Sequence, residues 1–169
     1  MSKIVILRGN SGSGKSTVAK KLQERLGRGT LLISQDSVRR ELLHVYGGPD
    51  QRSIDLLQSM IQFGNKSCDI TILEGILYAD GHNHIFEQIK RIFENNIFAY
   101  YLELPFEETL KRHMSKPNCN EFGETEMRRW WRERDYVSCI DEEIINENMS
   151  ADEIVDMVYN DLKNAANNL

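Results

Sequence analysis

Gly9-Asn10-Ser11-Gly12-Ser13-Gly14-Lys15-Ser16-Thr17 is the stretch that decides the fold. It matches the spacing GxxxxGK[ST], and its surroundings agree with the match. A β-branched run, Lys3–Leu7, precedes it and reads as a buried strand. A helical pattern follows, with Val18, Ala19, Leu22 and Leu26 on one face and Gly27 and Gly29 at its end. A strand, a glycine-rich turn and a helix are the context in which this spacing binds phosphate. Glycines let the chain curl so that successive N–H groups from Gly9 to Gly14 point inward at an anion, and the helix N-terminus adds its partial positive charge. Lys15 is expected to bridge the β- and γ-phosphates of a nucleotide. The Ser16 hydroxyl is expected to coordinate Mg²⁺, and the Thr17 hydroxyl to lie near the α-phosphate.

Outward from this loop, strands and helices alternate. Strands are expected at Thr30–Ser34, Asp69–Leu73, Ile97–Glu103 and Glu143–Asn146. Helices are expected at Asp36–Tyr46 (closed by Gly47-Gly48-Pro49), Gln51–Gly64, Ile85–Glu94, from Pro105 onward, and over the arginine-rich Gly123–Tyr136. Ser150 with Glu153 forms a capping box for a last helix. Such alternation means an α/β fold, a parallel sheet with helices on both faces, whose ligands bind beyond the carboxyl ends of the strands. There is no internal repeat, and 169 residues fit a single domain, 1–169.

The formal charge of −5 is unevenly spread. Residues 1–110 are neutral in sum, residues 111–134 carry +3, and residues 135–169 carry −8. The basic island reads either as an anion site or as a solvated helix face with ordinary ion pairs. An acidic chain of this kind is a poor duplex nucleic-acid binder. The longest apolar run, Ile97–Leu102, is far short of a membrane span, and Ile4–Leu7 is too short for the core of a secretion signal, so a cytoplasmic protein without membrane contact is expected. Cys68, Cys119 and Cys139 show no ligand spacing and read as reduced thiols.

Asp36 follows directly on the second strand, within Ser34-Gln35-Asp36-Ser37-Val38-Arg39-Arg40. A carboxylate there is placed to take a proton from a hydroxyl as its oxygen attacks the γ-phosphate; it also suits a helix cap, and the two roles are compatible. Arg39 and Arg40 lie three and four residues on, so one of them should point with Asp36 and hold a polar or anionic substrate group. Glu74 ends the third strand, where it either positions Mg²⁺ through water, binds substrate, or is an ordinary loop carboxylate. Arg112, Arg128, Arg129, Arg132 and Arg134 flank one loop, as expected of a lid over about 111–134 that closes cations on a transferring phosphate; Arg112 and Arg128 are its first candidates.

At Gly9–Thr17, Ser34-Gln35-Asp36-Ser37 and Ile72-Leu73-Glu74-Gly75-Ile76-Leu77 the sequence resembles the P-loop kinases of the nucleoside and nucleotide kinase group, uridine kinases among them. Asp36-Ser37-Val38-Arg39-Arg40 also resembles polynucleotide kinases and zeta-toxin-like kinases, where an Asp acts as base and a nearby Arg binds substrate. Where uridine kinases carry an aromatic pair after Asp-Ser, this chain has Val38-Arg39. The resemblance implies a five-stranded parallel sheet with a helical lid, ATP and Mg²⁺, and in-line transfer to a hydroxyl of a small molecule such as a nucleoside or sugar. Lys15, Asp36, Arg112 and Arg128 would be catalytic, with Arg39, Arg40 and Glu74 on the substrate. A polynucleotide 5′-end kinase and a nucleotide-dependent switch without acceptor are the alternatives. A monomer and a dimer fit equally.

Overall fold

The computed structural model describes residues 2–46, 50–115 and 119–167. Its elements run β1 (Lys3–Gly9), α1 (Lys15–Leu26), β2 (Thr30–Ser34), α2 (Gln35–Ser37), α3 (Gln51–Ser67), β3 (Ile70–Gly75), α4 (Asn83–Phe93), β4 (Ile97–Leu102), α5 (Phe106–Met114), α6 (Glu124–Trp130), β5 (Glu142–Ile145) and α7 (Ala151–Asn167). One sheet has the order β2-β3-β1-β4-β5, and every neighbouring pair is parallel. The α/β class and the five-stranded sheet expected from the sequence are therefore present.

β1 is the central strand, and its side chains alternate between two cores. Ile4 and Ile6 face Leu57 and Ile61 of α3 and Ile85, Ile89 and Phe93 of α4. Val5 and Leu7 face Val18 and Leu22 of α1 and Ile154, Val158 and Leu162 of α7. A strand with both faces covered has no polar positions to spare, which is why Lys3–Leu7 reads as continuous apolar sequence. The α7 capping box forms as expected: Ser150 N–H donates to Glu153 Oε2 at 2.8 Å, and Glu153 N–H to Ser150 Oγ at 3.3 Å. No helix among the described residues is long and apolar enough to cross a membrane.

Arg8 continues the Ile4–Ile6 face, and its side chain is 0 % exposed. Nη1 donates to both carboxylate oxygens of Glu142, each at 2.8 Å. Nη2 donates to the Asp135 carboxylate at 3.0 Å and the Asp135 carbonyl at 2.9 Å, and Nε to the Leu77 carbonyl at 2.9 Å. Phe86 and Tyr101 close around the guanidinium. Burial pushes the Tyr101 phenol up to about 12, so it stays protonated there.

Two expected helices end early. The expected helix Asp36–Tyr46 is only the single turn α2 followed by a π-helical turn over Val38–Leu42, closed by Leu43 N–H on the Val38 carbonyl at 3.1 Å; His44 then turns left-handed at φ 55°. Its expected breaker, Gly47-Gly48-Pro49, lies outside the described residues, as do residues 116–118 of the expected lid. The expected helix Gly123–Tyr136 stops at Trp130, because the next residues are drawn elsewhere: Arg132 by Asn10 and Asp135 by Arg8.

A second buried lock holds the chain after β3. Gln35 Oε1 accepts from the Ile76 N–H at 3.1 Å and the Leu77 N–H at 3.3 Å. That fixes the amide, so its Nε2 donates to His82 Nε2 at 3.1 Å. The imidazole is then neutral, with Nδ1 donating to the Tyr78 carbonyl at 3.2 Å. Burial, aided by the charges of Arg8 and Arg39, holds His82 below its ordinary value against the opposing pull of the Tyr78 carbonyl and Asp80.

Replacing Arg8 with Met should cost about 3–5 kcal/mol, because it leaves two inward carboxylates uncompensated. Urea unfolding measures the loss, and adding Glu142→Gln should recover part of it. For His82 the folded protein binds its proton less readily than the unfolded chain. Its contribution is complete above about pH 6.5 and is lost as the pH falls through the lower folded value, at up to about 1.4 kcal/mol per pH unit. Unfolding free energies measured between about pH 7 and 5 should show this slope, and His82→Gln should flatten it.

Candidate active site

The glycine-rich loop leaves β1 and wraps onto the start of α1, and two of its glycines are required by close approach. Gly9 has φ 140°, and a Cβ there would lie 2.5 Å from the Leu102 carbonyl oxygen of β4. Gly12 has φ 83°, and a Cβ there would lie 2.4 Å from the Thr109 carbonyl oxygen of α5. The loop is thus clamped between β4 and α5 before any ligand arrives. Lys15 is buried and turned back on the loop, its Nζ donating to the Asn10 carbonyl at 2.8 Å and Ser13 Oγ at 3.2 Å. Ser16 and Thr17 stand exposed in the first turn of α1.

β3 lies between β1 and β2, so its last side chains meet both the loop and the end of β2. Glu74 is buried there and accepts from Ser16 Oγ at 3.1 Å and from Ser34 Oγ. A hydroxyl and a carboxylate side by side are hard oxygen donors, a set that fits Mg²⁺. Ser34 also caps α2, accepting from the Ser37 N–H at 3.5 Å. The cap expected as the competing role of Asp36 therefore belongs to Ser34. Asp36 projects outward with its side chain 69 % exposed, and Arg40 Nε stands 3.4 Å from its Oδ1. Arg40 also donates from Nη1 to Glu121 at 2.9 Å, so it is the arginine that points with Asp36. The charge of Arg39 acts instead on Tyr78 and His82, where it favours loss of their protons. Ser16, Ser34, Asp36 and Glu74 share one open cleft of about 440 Å³, walled by Val38, Leu42 and Met60.

A second groove of about 270 Å³ lies across the loop, between Gly12–Gly14, Thr17, Arg112, Met149 and Ile154. Arg112 spans it: Nε donates to Glu108 at 2.7 Å, while Nη1 lies 3.4 Å from the Ser13 carbonyl and Nη2 3.5 Å from the Glu147 carbonyl. Arg128 is not brought to either space. It pairs with Glu124 at 2.8 Å and lies over the Phe106 ring, 4.2 Å from the centroid. Arg132 pairs with Asp80 at 2.7 Å and lies over the Tyr78 ring, which holds Asp80 below its ordinary range.

Three participants escaped the sequence reading. Asn10, expected only among the loop residues that hold phosphate, turns its side chain away to Arg132: Nδ2 donates to the Arg132 carbonyl at 2.7 Å, and the Arg132 N–H donates to Oδ1 at 3.0 Å. Gln35 and His82 brace the chain between β3 and α4. No spacing rule announces any of them: Asn10 and Gln35 act on main-chain groups far away in sequence, and His82 is met by the side chain of Gln35, 47 residues earlier.

A family model described as an AAA domain matches residues 4–78, the span from β1 to just beyond β3. A search of the curated proteins finds no match. Among solved structures, the APS kinase of Mycobacterium tuberculosis in complex with AMPPNP and APS has TM-score 0.71 at 19 % identity, over 96 % of this chain and 98 % of that one. A gluconokinase from Sinorhizobium meliloti 1021 has TM-score 0.63 at 15 % identity, over 99 % and 94 %. The shikimate kinase of Acinetobacter baumannii in complex with shikimate has TM-score 0.59 at 17 % identity, over 99 % and 95 %. The likeness to these kinases is one of fold and extends along the whole chain: the fold is the one seen in these P-loop kinases.

Proposed function

We propose that the protein is an ATP-dependent phosphotransferase that moves the γ-phosphate to a hydroxyl of a small molecule. The observation that carries this is the shared cleft. Asp36 has no capping duty and opens into the same space as Ser16 and Glu74, beside the phosphate loop. A switch without acceptor has no use for a carboxylate free to face a second substrate, and the structures of similar fold in complex with APS or with shikimate are named as kinases.

The nucleotide lies along the loop, its phosphates against the N–H groups of Gly9–Gly14 and the first turn of α1. Lys15 leaves the Asn10 carbonyl for the β- and γ-phosphates, a short swing of a side chain already at the loop. Ser16 directly, and Glu74 through water, would hold Mg²⁺, which when bound draws charge from the β- and γ-phosphate oxygens. Asp36 accepts the proton of the acceptor hydroxyl as its oxygen attacks phosphorus in line with the leaving ADP oxygen. Arg40 orients that carboxylate, and Arg39 borders the acceptor side. Arg112 borders the nucleotide across the second groove. Arg128, paired with Glu124 and lying over Phe106, would reach the transferring group only on an inward movement of α6. The aliphatic wall of Val38, Leu42 and Met60 gives the acceptor an apolar face, and the compact cleft suits a metabolite rather than a duplex end.

The decisive experiment is an ATP-consumption screen of the purified protein against hydroxyl-bearing metabolites. Stimulation by one acceptor, with the phosphorylated product identified, is expected. Nucleotide binding with no acceptor-dependent transfer would defeat the proposal. With an acceptor in hand, Asp36→Asn should lower turnover about 100-fold or more while nucleotide affinity stays within about twofold. Ser16→Ala and Glu74→Gln should each raise the Mg²⁺ concentration for half-maximal turnover by about tenfold or more.

A further inference from the structure

Asn10 makes an arrangement that phosphate binding does not require. Its carboxamide exchanges two hydrogen bonds with one residue, Arg132, taking the N–H at 3.0 Å and meeting the carbonyl at 2.7 Å. The pairing imitates a rung of sheet between a loop and a segment 122 residues away. Asn10 is itself buried, so the pairing is largely out of competition with water. The same residue's carbonyl is the resting partner of Lys15 Nζ, at 2.8 Å. One residue therefore touches the lysine that must move when phosphate enters and the main chain that carries a lid arginine.

The segment around Arg132 is held at few other points. Tyr78 donates to the Trp130 carbonyl at 2.9 Å, just before it, and Asp135 is fixed by Arg8, just after it. Helix α6 has already ended, so Arg132 makes no helical hydrogen bond. Its guanidinium meets the exposed Asp80 at 2.7 Å, a pairing cheap to exchange for phosphate, and lies 3.8 Å from Asp135 and over the Tyr78 ring. The position of its main chain thus depends on the Asn10 carboxamide.

Resting on the kinase reading above, we infer that Asn10 is a positioning residue that couples occupancy of the phosphate loop to the placement of Arg132. When Lys15 leaves the Asn10 carbonyl for a phosphate, the Asn10 peptide loses its cationic partner and resettles. The carboxamide carries that shift to the Arg132 peptide, and the guanidinium is re-aimed from Asp80.

The chain offers its own reporter. Its only two tryptophans, Trp130 and Trp131, immediately precede Arg132, and they rest against Phe122 and Phe106. Titration of the wild-type protein with Mg·AMPPNP should change tryptophan emission in step with binding measured by calorimetry. With occupancy fixed at saturation by calorimetry, Asn10→Ala and Asn10→Ser should lose at least about two thirds of the emission change. A second readout needs no variant: the Arg132 amide should change its hydrogen-exchange rate about fivefold or more on Mg·AMPPNP binding. An emission change undiminished in the variants overturns the inference. So does an Arg132 amide that exchanges equally fast with and without bound nucleotide. Both readouts use binding alone, so a failure to transfer phosphate to any acceptor, which would defeat the kinase reading, is scored separately from them.

Discussion

The central strand ends in a charge, and the functional end of the molecule is arranged around it. Arg8 lies between the apolar run of β1 and the phosphate loop, fully enclosed, and its side-chain hydrogen bonds among the described residues all end on a carboxylate or a carbonyl. Burying a guanidinium is costly, and two carboxylates offset the cost only when the geometry is good. Here the fork of the guanidinium is used on three sides. Glu142 secures β5, the Leu77 carbonyl secures the chain after β3, and Asp135 secures the segment after α6. Asp135 in turn accepts from the Ala79 N–H at 2.9 Å. An apolar residue at this position would fill the space without choosing among the arrangements of those three segments. The cation chooses one, because any other leaves it unpaired.

That constraint sets what the loop can do. With β3 and its following chain fixed from one side by Arg8 and from the other by Gln35 and His82, Glu74 has one position, against Ser16. Ser34 divides its hydroxyl between the α2 cap and Glu74, and this leaves Asp36 without a capping duty, beside Arg40. Two carboxylates at adjacent strand ends thus have separate environments. Glu74 is enclosed beside the hydroxyl suited to a cation, and Asp36 is open to the cleft. The difference follows from strand position: β3 is covered on both sides by β1 and β2, whereas β2 is at the sheet edge.

Much of this was legible in the sequence. The nine residues Gly9–Thr17 fixed loop, helix and strand order because backbone curvature, anion and helix start make one local requirement. The strand-end positions of Asp36 and Glu74 followed from the hydrophobic runs before them. What stayed hidden acts at long range. Residues 131–136 carry the composition of a helix, and they leave it because Asn10 and Arg8, more than 120 residues earlier, take Arg132 and Asp135. The π-helical turn after α2 is equally silent in the sequence, since Val38–Leu42 has ordinary helix formers at a helical period. Asn10 was legible as part of a motif and illegible as a tether, since its spacing says nothing of where its side chain points.

The charge gradient takes on a different meaning once each pair is located. Among the described residues, four of the five arginines of the basic segment are paired with carboxylates. Arg112 is held by Glu108, Arg128 by Glu124, Arg132 by Asp80, and Arg134 lies 3.8 Å from Glu103. These pairs are exposed or half-exposed, and such pairs contribute about 0–1 kcal/mol each. A nucleotide with several phosphate charges offers the same guanidinium groups more than a single carboxylate does, so the pairs are readily exchanged. The Arg8 pairs are of the opposite kind: enclosed, bidentate and costly to break. The protein therefore keeps two populations of arginine, one enclosed with pairs costly to break and one exposed with pairs that cost little to break. The two meet at Asn10 and Arg132, where the buried loop residue holds the main chain of an arginine whose own pair is exposed.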